Sequence, residues 1–331
     1  MTILILGAAG MIGRKLTDRL IQEGGILKAD EKLILHDIIE PEAPLNHQNY
    51  LCLSGDLAAA DTVMQLAAYQ PDIIFHLASM VSGEAEQNFN KGWSVNMQGS
   101  WHLCEALKHY HQASDERYRA KIIFASSIAV FGPPFPDNKL EAIHDDFLTA
   151  PQTSYGAQKA MVEMLIADYA RKGYIDGLSI RLPTICVRPG KPNAAASSFF
   201  SGIIRDPLNG FDAILPVPDT VRHWHASPRS AAGFMVHAAN LDTSLLGGRR
   251  SLNMPGLSCT VAEQIEALRD IAGEAVIAKI KPSPDDKIIE IVNNWPRAFQ
   301  PERAISLGFR AETSFREIIE IYLEDDMPHL S

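Results

Sequence analysis

The chain opens on the apolar run Thr2-Ile-Leu-Ile-Leu6, which leads straight into Gly7-Ala-Ala-Gly-Met-Ile-Gly13 and then a helical stretch from Arg14 to Glu23. A short apolar run stopped by glycine reads as a buried strand. Strand, glycine turn and helix in that order begin a βαβ unit, whose helix must pack back onto a parallel sheet. Gly7 makes the tight turn, Gly10 lets a ligand approach the backbone, and Gly13 lets helix pack closely on strand. The turn and the helix it opens, Met11 and Ile12 included, present backbone N–H groups and a positive dipole end, which suits a pyrophosphate. The spacing is GxxGxxG rather than the commoner GxGxxG. A purely structural turn has the same glycines, but the place directly after a first strand favours a dinucleotide.

The segments that follow extend this reading. Lys32-Leu-Ile-Leu-His-Asp37 is a second strand ending in an acid. A carboxylate there accepts both ribose hydroxyls and repels a 2'-phosphate, so the expected cofactor is NAD rather than NADP. A third strand, Tyr50 to Leu53, runs into Asp56 and Leu57; Asp56 can accept from the adenine amino group or cap a helix beginning near Ala58. A fourth, Asp72 to Ala78, brings Leu77 and Ala78 beside the cofactor and carries His76, read as a packed, hydrogen-bonded residue. Asn96 lies on a helix from which its amide can brace the site.

Chemistry enters with Ser127, at the end of the apolar run Ile122-Ile-Phe-Ala-Ser-Ser127, and with Tyr155 and Lys159 in Ser154-Tyr-Gly-Ala-Gln-Lys159. On a helix, the tyrosine and lysine share one face, and the ammonium favours the phenolate. A phenol titrates near 10 unaided and becomes a general base near neutrality only with such help. Ser127 would hold the reacting oxygen. The trio suits oxidation of a secondary alcohol, although YxxxK alone also occurs on ordinary amphipathic helices.

Composition narrows the setting. A chain of 331 residues has room for a Rossmann domain and a smaller lobe. Its net charge of -10 argues against nucleic acid or an anionic membrane as partner. Cys52, Cys104, Cys186 and Cys259 lack metal-ligand spacing and read as reduced thiols, so no metal is expected. Neither an export signal nor a bilayer-spanning run is visible, and a cytoplasmic enzyme is expected.

The ordered set Gly7 to Gly13, Asp37, Asp56, His76-Leu-Ala78, Asn96, Ser127 to Gly132 and Tyr155 to Lys159 resembles the extended short-chain dehydrogenase/reductases, a group containing nucleotide-sugar epimerases and dehydratases. Leu6 and Phe131 depart from it, standing where threonine and tyrosine are usual. The resemblance implies an α/β, Rossmann-type doubly wound parallel sheet with a smaller C-terminal α/β substrate-binding lobe. It places the NAD-binding domain at 1–182, with a return segment at about 222–252, and the smaller lobe at 183–221 and 253–331. It also implies that Lys159 bonds the nicotinamide ribose, that Pro183 lies beside the nicotinamide, and that the chain forms a homodimer through the helices near Tyr155 and Asn96. Dehydratases of the group carry an Asp-Glu pair where this chain has Ile128 and Ala129, so that branch is excluded. The epimerase reading stays open, and an intact trio argues against a non-catalytic dinucleotide sensor.

Longer strings, among them Val81-Ser-Gly-Glu84, Arg181-Leu-Pro-Thr184, Val187 to Ser198, Ser201 to Gly210 and Arg222-His-Trp224, resemble sugar-acid dehydrogenases within the group. They imply NAD-dependent oxidation of the 2-hydroxyl of a small sugar acid. A carboxylate substrate needs fixed donors, for which Arg188, Lys191 and Arg222 are candidates, with Arg222 favoured. Ser82, Asn193 and Ser197 are candidates for the carboxylate or chain hydroxyls, and Ser127 and Tyr155 for the reacting one.

Overall fold

Apolar strands alternating with amphipathic helices set the layout. The structure, a computed structural model, describes residues 1–23, 26–135, 142–190 and 195–327. In chain order the first elements are β1 (Thr2–Leu6), α1 (Met11–Glu23), β2 (Lys32–Asp37), β3 (Tyr50–Ser54), α2 (Ala60–Ala67) and β4 (Ile73–His76). Then come α3 (Ser82–Gln87), α4 (Phe89–Gly92), a π-helical turn (Trp93–Gln98), α5 (Gly99–Ala113), β5 (Lys121–Ser127) and a 3-10 turn (Ile128–Val130). β6 (Ile143–His144), α6 (Ser154–Arg171), β7 (Asp176–Leu182), β8 (Thr184–Ile185), α7 (Ser198–Leu208), β9 (Ala213–Leu215) and β10 (Arg222–Ala226) follow. After α8 (Pro228–Asn240) the chain forms β11 (Ser251–Asn253), β12 (Leu257–Thr260), α9 (Val261–Ala272), β13 (Ile280–Pro282), β14 (Phe299–Gln300) and a last helix, Phe315–Asp326.

Seven strands form one sheet in the order β11-β7-β5-β4-β1-β2-β3. β1 pairs in parallel with both β2 and β4, so the chain reverses its direction of travel across the sheet at β1. Such a switch point leaves a crevice at the carboxyl ends of the strands, where ligands of α/β sheets bind. Leu4, Ile34, Ile74, Ile122 and Phe124 on one face pack with Val63, Leu103, Leu107, Val162 and Ile166 from the helices. These belong to a compact unit comprising Met1–Val130, Pro151–Arg181 and Ala232–Leu252.

The second unit comprises Phe131–Ala150, Leu182–Ala231 and Asn253–Ser331. It holds the sheet β12-β10-β8 and the pairs β13-β9 and β14-β6 around Phe200, Ile203, Leu268, Ile318 and Tyr322. These limits differ from those expected of the sequence. β10 bonds to β8 and β12, so Arg222–Ala226 belongs to the smaller sheet and the return to the larger unit starts at Ala232. Phe131 packs against Phe147 and Phe299, which draws 131–150 into the second unit. Among the described residues, no helix is long and apolar enough to cross a membrane.

Two element ends are set by the glycine turn. α1 begins at Met11, not Arg14, because Arg14 N already donates to Gly10 O at 2.9 Å, completing a first turn that glycines disguise in the sequence. β4 ends at His76, not Ala78, because Leu77 N and Ala78 N both bend to Leu6 O, each at 2.8 Å.

Candidate active site

The glycine turn is shaped by close backbone approaches. Gly7 has φ +91°, and a Cβ there would lie 2.6 Å from Ala78 N; a Cβ on Gly13 would lie 2.2 Å from Gly7 O. Only glycine permits either approach. The first-turn N–H groups of Met11, Ile12 and Gly13 have no acceptor within α1 and point from its N-terminus, the arrangement a pyrophosphate requires. Asp37 is tied to the same loop: its Oδ2 accepts from Ala9 N at 2.9 Å and its Oδ1 from Ile38 N at 2.7 Å. Asp56 Oδ1 accepts from Ala58 N at 2.9 Å, closing a turn ahead of α2 rather than capping it, since Ala59 occupies the N-cap. Leu57 beside it is buried. This cradle fits a dinucleotide.

The proton-handling residues stand at the end of β5 and the start of α6. Thr153 caps α6 by accepting from Gly156 N at 3.1 Å. A Cβ on Gly156 would lie 2.1 Å from Ala129 O, so the first turn of α6 presses on the turn that follows Ser127. That contact brings the backbones bearing Tyr155 and Ser127 together. Ser127 Oγ accepts from Ala129 N at 3.1 Å, which turns its proton away from the backbone. Tyr155 is half-buried, and Lys159 Nζ lies 5.5 Å from its ring centroid and 4.5 Å from that of Phe124. Lys159 is buried and donates to Ala125 O at 2.8 Å. Burial pushes its pKa down to about 7, against the pull of Glu163, which raises it.

Asn96 spends its amide on the surrounding backbone. Its Oδ1 accepts from Met80 N at 2.7 Å and Ser79 Oγ at 3.1 Å, while its Nδ2 donates to Met80 O at 3.2 Å and Gln158 Oε1 at 2.7 Å. It thereby braces the segment after β4 and Gln158 of α6. Ser82 opens α3, and Ser154 N bonds Glu86 of that helix at 2.9 Å. His76 is buried with Nε2 2.9 Å from Ser100 Oγ, and burial followed by the Lys159 charge holds its pKa down to about 3. A group that stays neutral through the working range fits the packing role expected of it.

The sequence reading missed Ser126, Glu163 and Arg181. Glu163 is buried on α6; Arg181 Nε lies 2.9 and 3.1 Å from its two oxygens and Arg181 NH2 2.7 Å from Oε2, while Ser126 Oγ donates at 2.5 Å. The signals were a charge one residue before the end of a largely apolar strand and an acid one turn beyond Lys159. Each alone reads as a surface residue.

In the second unit, Pro183 is buried between β7 and β8. Arg188 Nε donates to Ile185 O at 2.8 Å and its NH2 to Ser197 Oγ at 3.2 Å. Arg222 NH1 donates to Ser258 O at 2.9 Å, and its NH2 pairs with Glu263 at 3.1 Å. Lys191 and Asn193 lie outside the described residues.

A dinucleotide cradle with a serine, tyrosine and lysine beside it defines a nicotinamide-dependent enzyme of hydride transfer at a secondary alcohol. The family model described as the NAD dependent epimerase/dehydratase family matches residues 3–241. Over 330 residues, 98% of both chains, the sequence is 42% identical to a D-erythronate dehydrogenase of Cupriavidus necator. It is 38% identical to one of Haemophilus influenzae over 99% of this chain and 100% of that one. A crystal structure described as the nucleoside-diphosphate-sugar epimerase from Agrobacterium tumefaciens superposes with TM-score 0.94 at 50% identity, over 99% of this chain and 95% of that chain. The chain belongs to the NAD dependent epimerase/dehydratase family.

Proposed function

We propose that the protein oxidises the 2-hydroxyl of D-erythronate, giving 2-dehydro-D-erythronate, with NAD as acceptor. The observation that carries this reading is likeness to two D-erythronate dehydrogenases along nearly the whole chain, loops included. Tyr155, as phenolate, takes the hydroxyl proton, and Ser127 holds the same oxygen. Lys159, as ammonium, stabilises the phenolate and bonds the nicotinamide ribose. When bound, the nicotinamide ring supplies the acceptor for the hydride leaving C2. Met11, Ile12 and the three glycines hold the pyrophosphate, Asp37 the adenine ribose, and Asp56 and Leu57 the adenine. Leu77, Ala78 and Pro183 flank the nicotinamide, and Asn96 supports it from behind.

For the substrate carboxylate we assign Arg222 and Arg188; Arg222 also pairs with Glu263 in a partly exposed contact. Ser82, Ser197, Lys191 and Asn193 complete the same assignment. A cytoplasmic homodimer belongs to this reading: Phe89, Trp93 and Trp101 near Asn96, and Met164 on α6, expose apolar side chains of the first unit.

One observation favours a second reading, a nucleoside-diphosphate-sugar epimerase: the similar crystal structure bears that description. One assay separates the two. The protein is mixed with NAD and a panel of four- to six-carbon aldonates, and NADH absorbance is followed. Turnover of D-erythronate ahead of its stereoisomers is expected. Silence across the panel, with turnover of a nucleoside-diphosphate sugar, would replace the first reading by the second.

A further inference from the structure

The last three residues of β5 each have a separate partner. Ala125 O receives Lys159 at 2.8 Å, Ser126 Oγ donates to Glu163 at 2.5 Å, and Ser127 Oγ accepts from Ala129 N at 3.1 Å. Glu163 sits one turn beyond Lys159 on α6 and is gripped by Arg181 of β7 through contacts of 2.7–3.1 Å. Glu163 and Arg181 are 3% and 9% exposed, too enclosed to meet a ligand. We infer that Ser126, Glu163 and Arg181 form a positioning device that fixes the end of β5 against α6 and sets how tightly Lys159 holds its proton, and so whether Tyr155 acts as a base. The inference rests on the hydride-transfer reading of the site.

The charge balance around Lys159 supports this. On α6 it faces Tyr155 and Glu163; from β5 come the Ala125 carbonyl and the Phe124 ring; from β4 comes His76, which stays neutral. Arg181 stands behind Glu163. Of the titratable neighbours, Glu163 is the one whose charge favours the ammonium against burial. Without that charge Lys159 gives up its proton at lower pH still, so the ammonium that favours the phenolate is present over less of the pH range and the phenolate forms only at higher pH. Glu163 acts through Lys159 and is a positioning residue.

The test compares wild type with Glu163→Gln and Glu163→Asp by two measurements. In ligand-free protein, phenolate absorbance is titrated against a Tyr155→Phe blank; with NAD and substrate, kcat and KM are followed across pH. In E163Q the Tyr155 midpoint rises and kcat at neutral pH falls about tenfold for each unit it moves, while the KM for the sugar acid, whose carboxylate donors Glu163 does not touch, stays within about twofold. E163D keeps the charge and keeps the midpoint. If E163Q does not fold, Arg181→Met reads the relation with opposite sign, since the uncompensated carboxylate moves the midpoint down. A midpoint at the wild-type position in whichever variant folds overturns the inference. Wild type that turns over no alcohol with NAD overturns the functional reading instead, and the ligand-free titration still decides the inference.

Discussion

Lys159 Nζ is bonded to the carbonyl oxygen of Ala125 at 2.8 Å, two residues before Ser127, so the strand that presents the serine also anchors the lysine. The anchoring places a cation where water is excluded, and burial works against its charge, lowering its pKa from 10.5 to about 7. The sign for stability follows. Between about 7 and 10.5 the unfolded chain binds a proton that the folded one does not, so folding is penalised in full below that window and less as pH rises. Lys159→Met should therefore abolish activity, by at least about 10²-fold in kcat, and raise the thermal midpoint at neutral pH. A midpoint below wild type would show that the lysine's bond to Ala125 outweighs its burial.

Tyr155→Phe removes one oxygen and leaves the ring. Loss of the base should lower kcat by about 10²–10⁴-fold. Dinucleotide affinity, followed by quenching of protein fluorescence, should change little, because the cradle lies at Gly7–Gly13 and Asp37. Activity near wild type would assign the base elsewhere.

How far the sequence predicted this site depended on whether each residue acts through its neighbours in the chain. Gly7 and Asp37 sit at strand ends and Gly13 in the first turn of α1, where turn chemistry and charge are local, and their pattern survives in one dimension. Ser127, Tyr155 and Lys159 needed only a strand end and a helical repeat. Ser126, Glu163 and Arg181 are joined across separations of 37 and 18 residues, and nothing in their own segments announces the partner. The boundary at Ala232 escaped for the same reason, since the partners that keep β10 in the smaller sheet, β8 and β12, lie far from it in sequence. Arg222 shows the same limit: the acid it pairs with, Glu263, comes 41 residues later, and nothing beside Arg222 in the chain announces it.

Asp37 should set cofactor preference. Its two oxygens are fixed by Ala9 N and Ile38 N, so its charge stands at the end of β2 next to the glycine turn. Asp37→Ala removes hydrogen bonds to a charged group, each contributing about 1.5–3 kcal/mol, and NAD affinity should fall by about tenfold or more. The repulsion of a 2'-phosphate goes with it, so the ratio of kcat/KM for NAD over NADP should drop. An unchanged ratio would remove Asp37 from the specificity assignment.

Three buried histidines should make the ligand-free protein acid-sensitive. His76 is held down to about 3 by burial and the Lys159 charge, and His223 to about 4 by burial, which outweighs its bond to Pro296 O. His225, wholly buried, lies well below 6.5 through burial, His223 and Arg188. Each is neutral in the folded chain, whereas in the unfolded chain each gains a proton as pH falls through 6.5. The unfolded state thus binds more protons, and stability present above 6.5 declines as pH drops towards about 4. Most carboxylates stay ionised over the upper part of this window, so the histidines dominate there. Urea unfolding midpoints should fall steadily from about pH 7 to about pH 5. Two of the three histidines, His223 and His225, share β10 in the second unit, so His223→Gln, which keeps a hydrogen-bonding group near Thr184 Oγ1, should flatten that slope. A midpoint that holds constant across the window would mean that these rings are protonated in the folded protein.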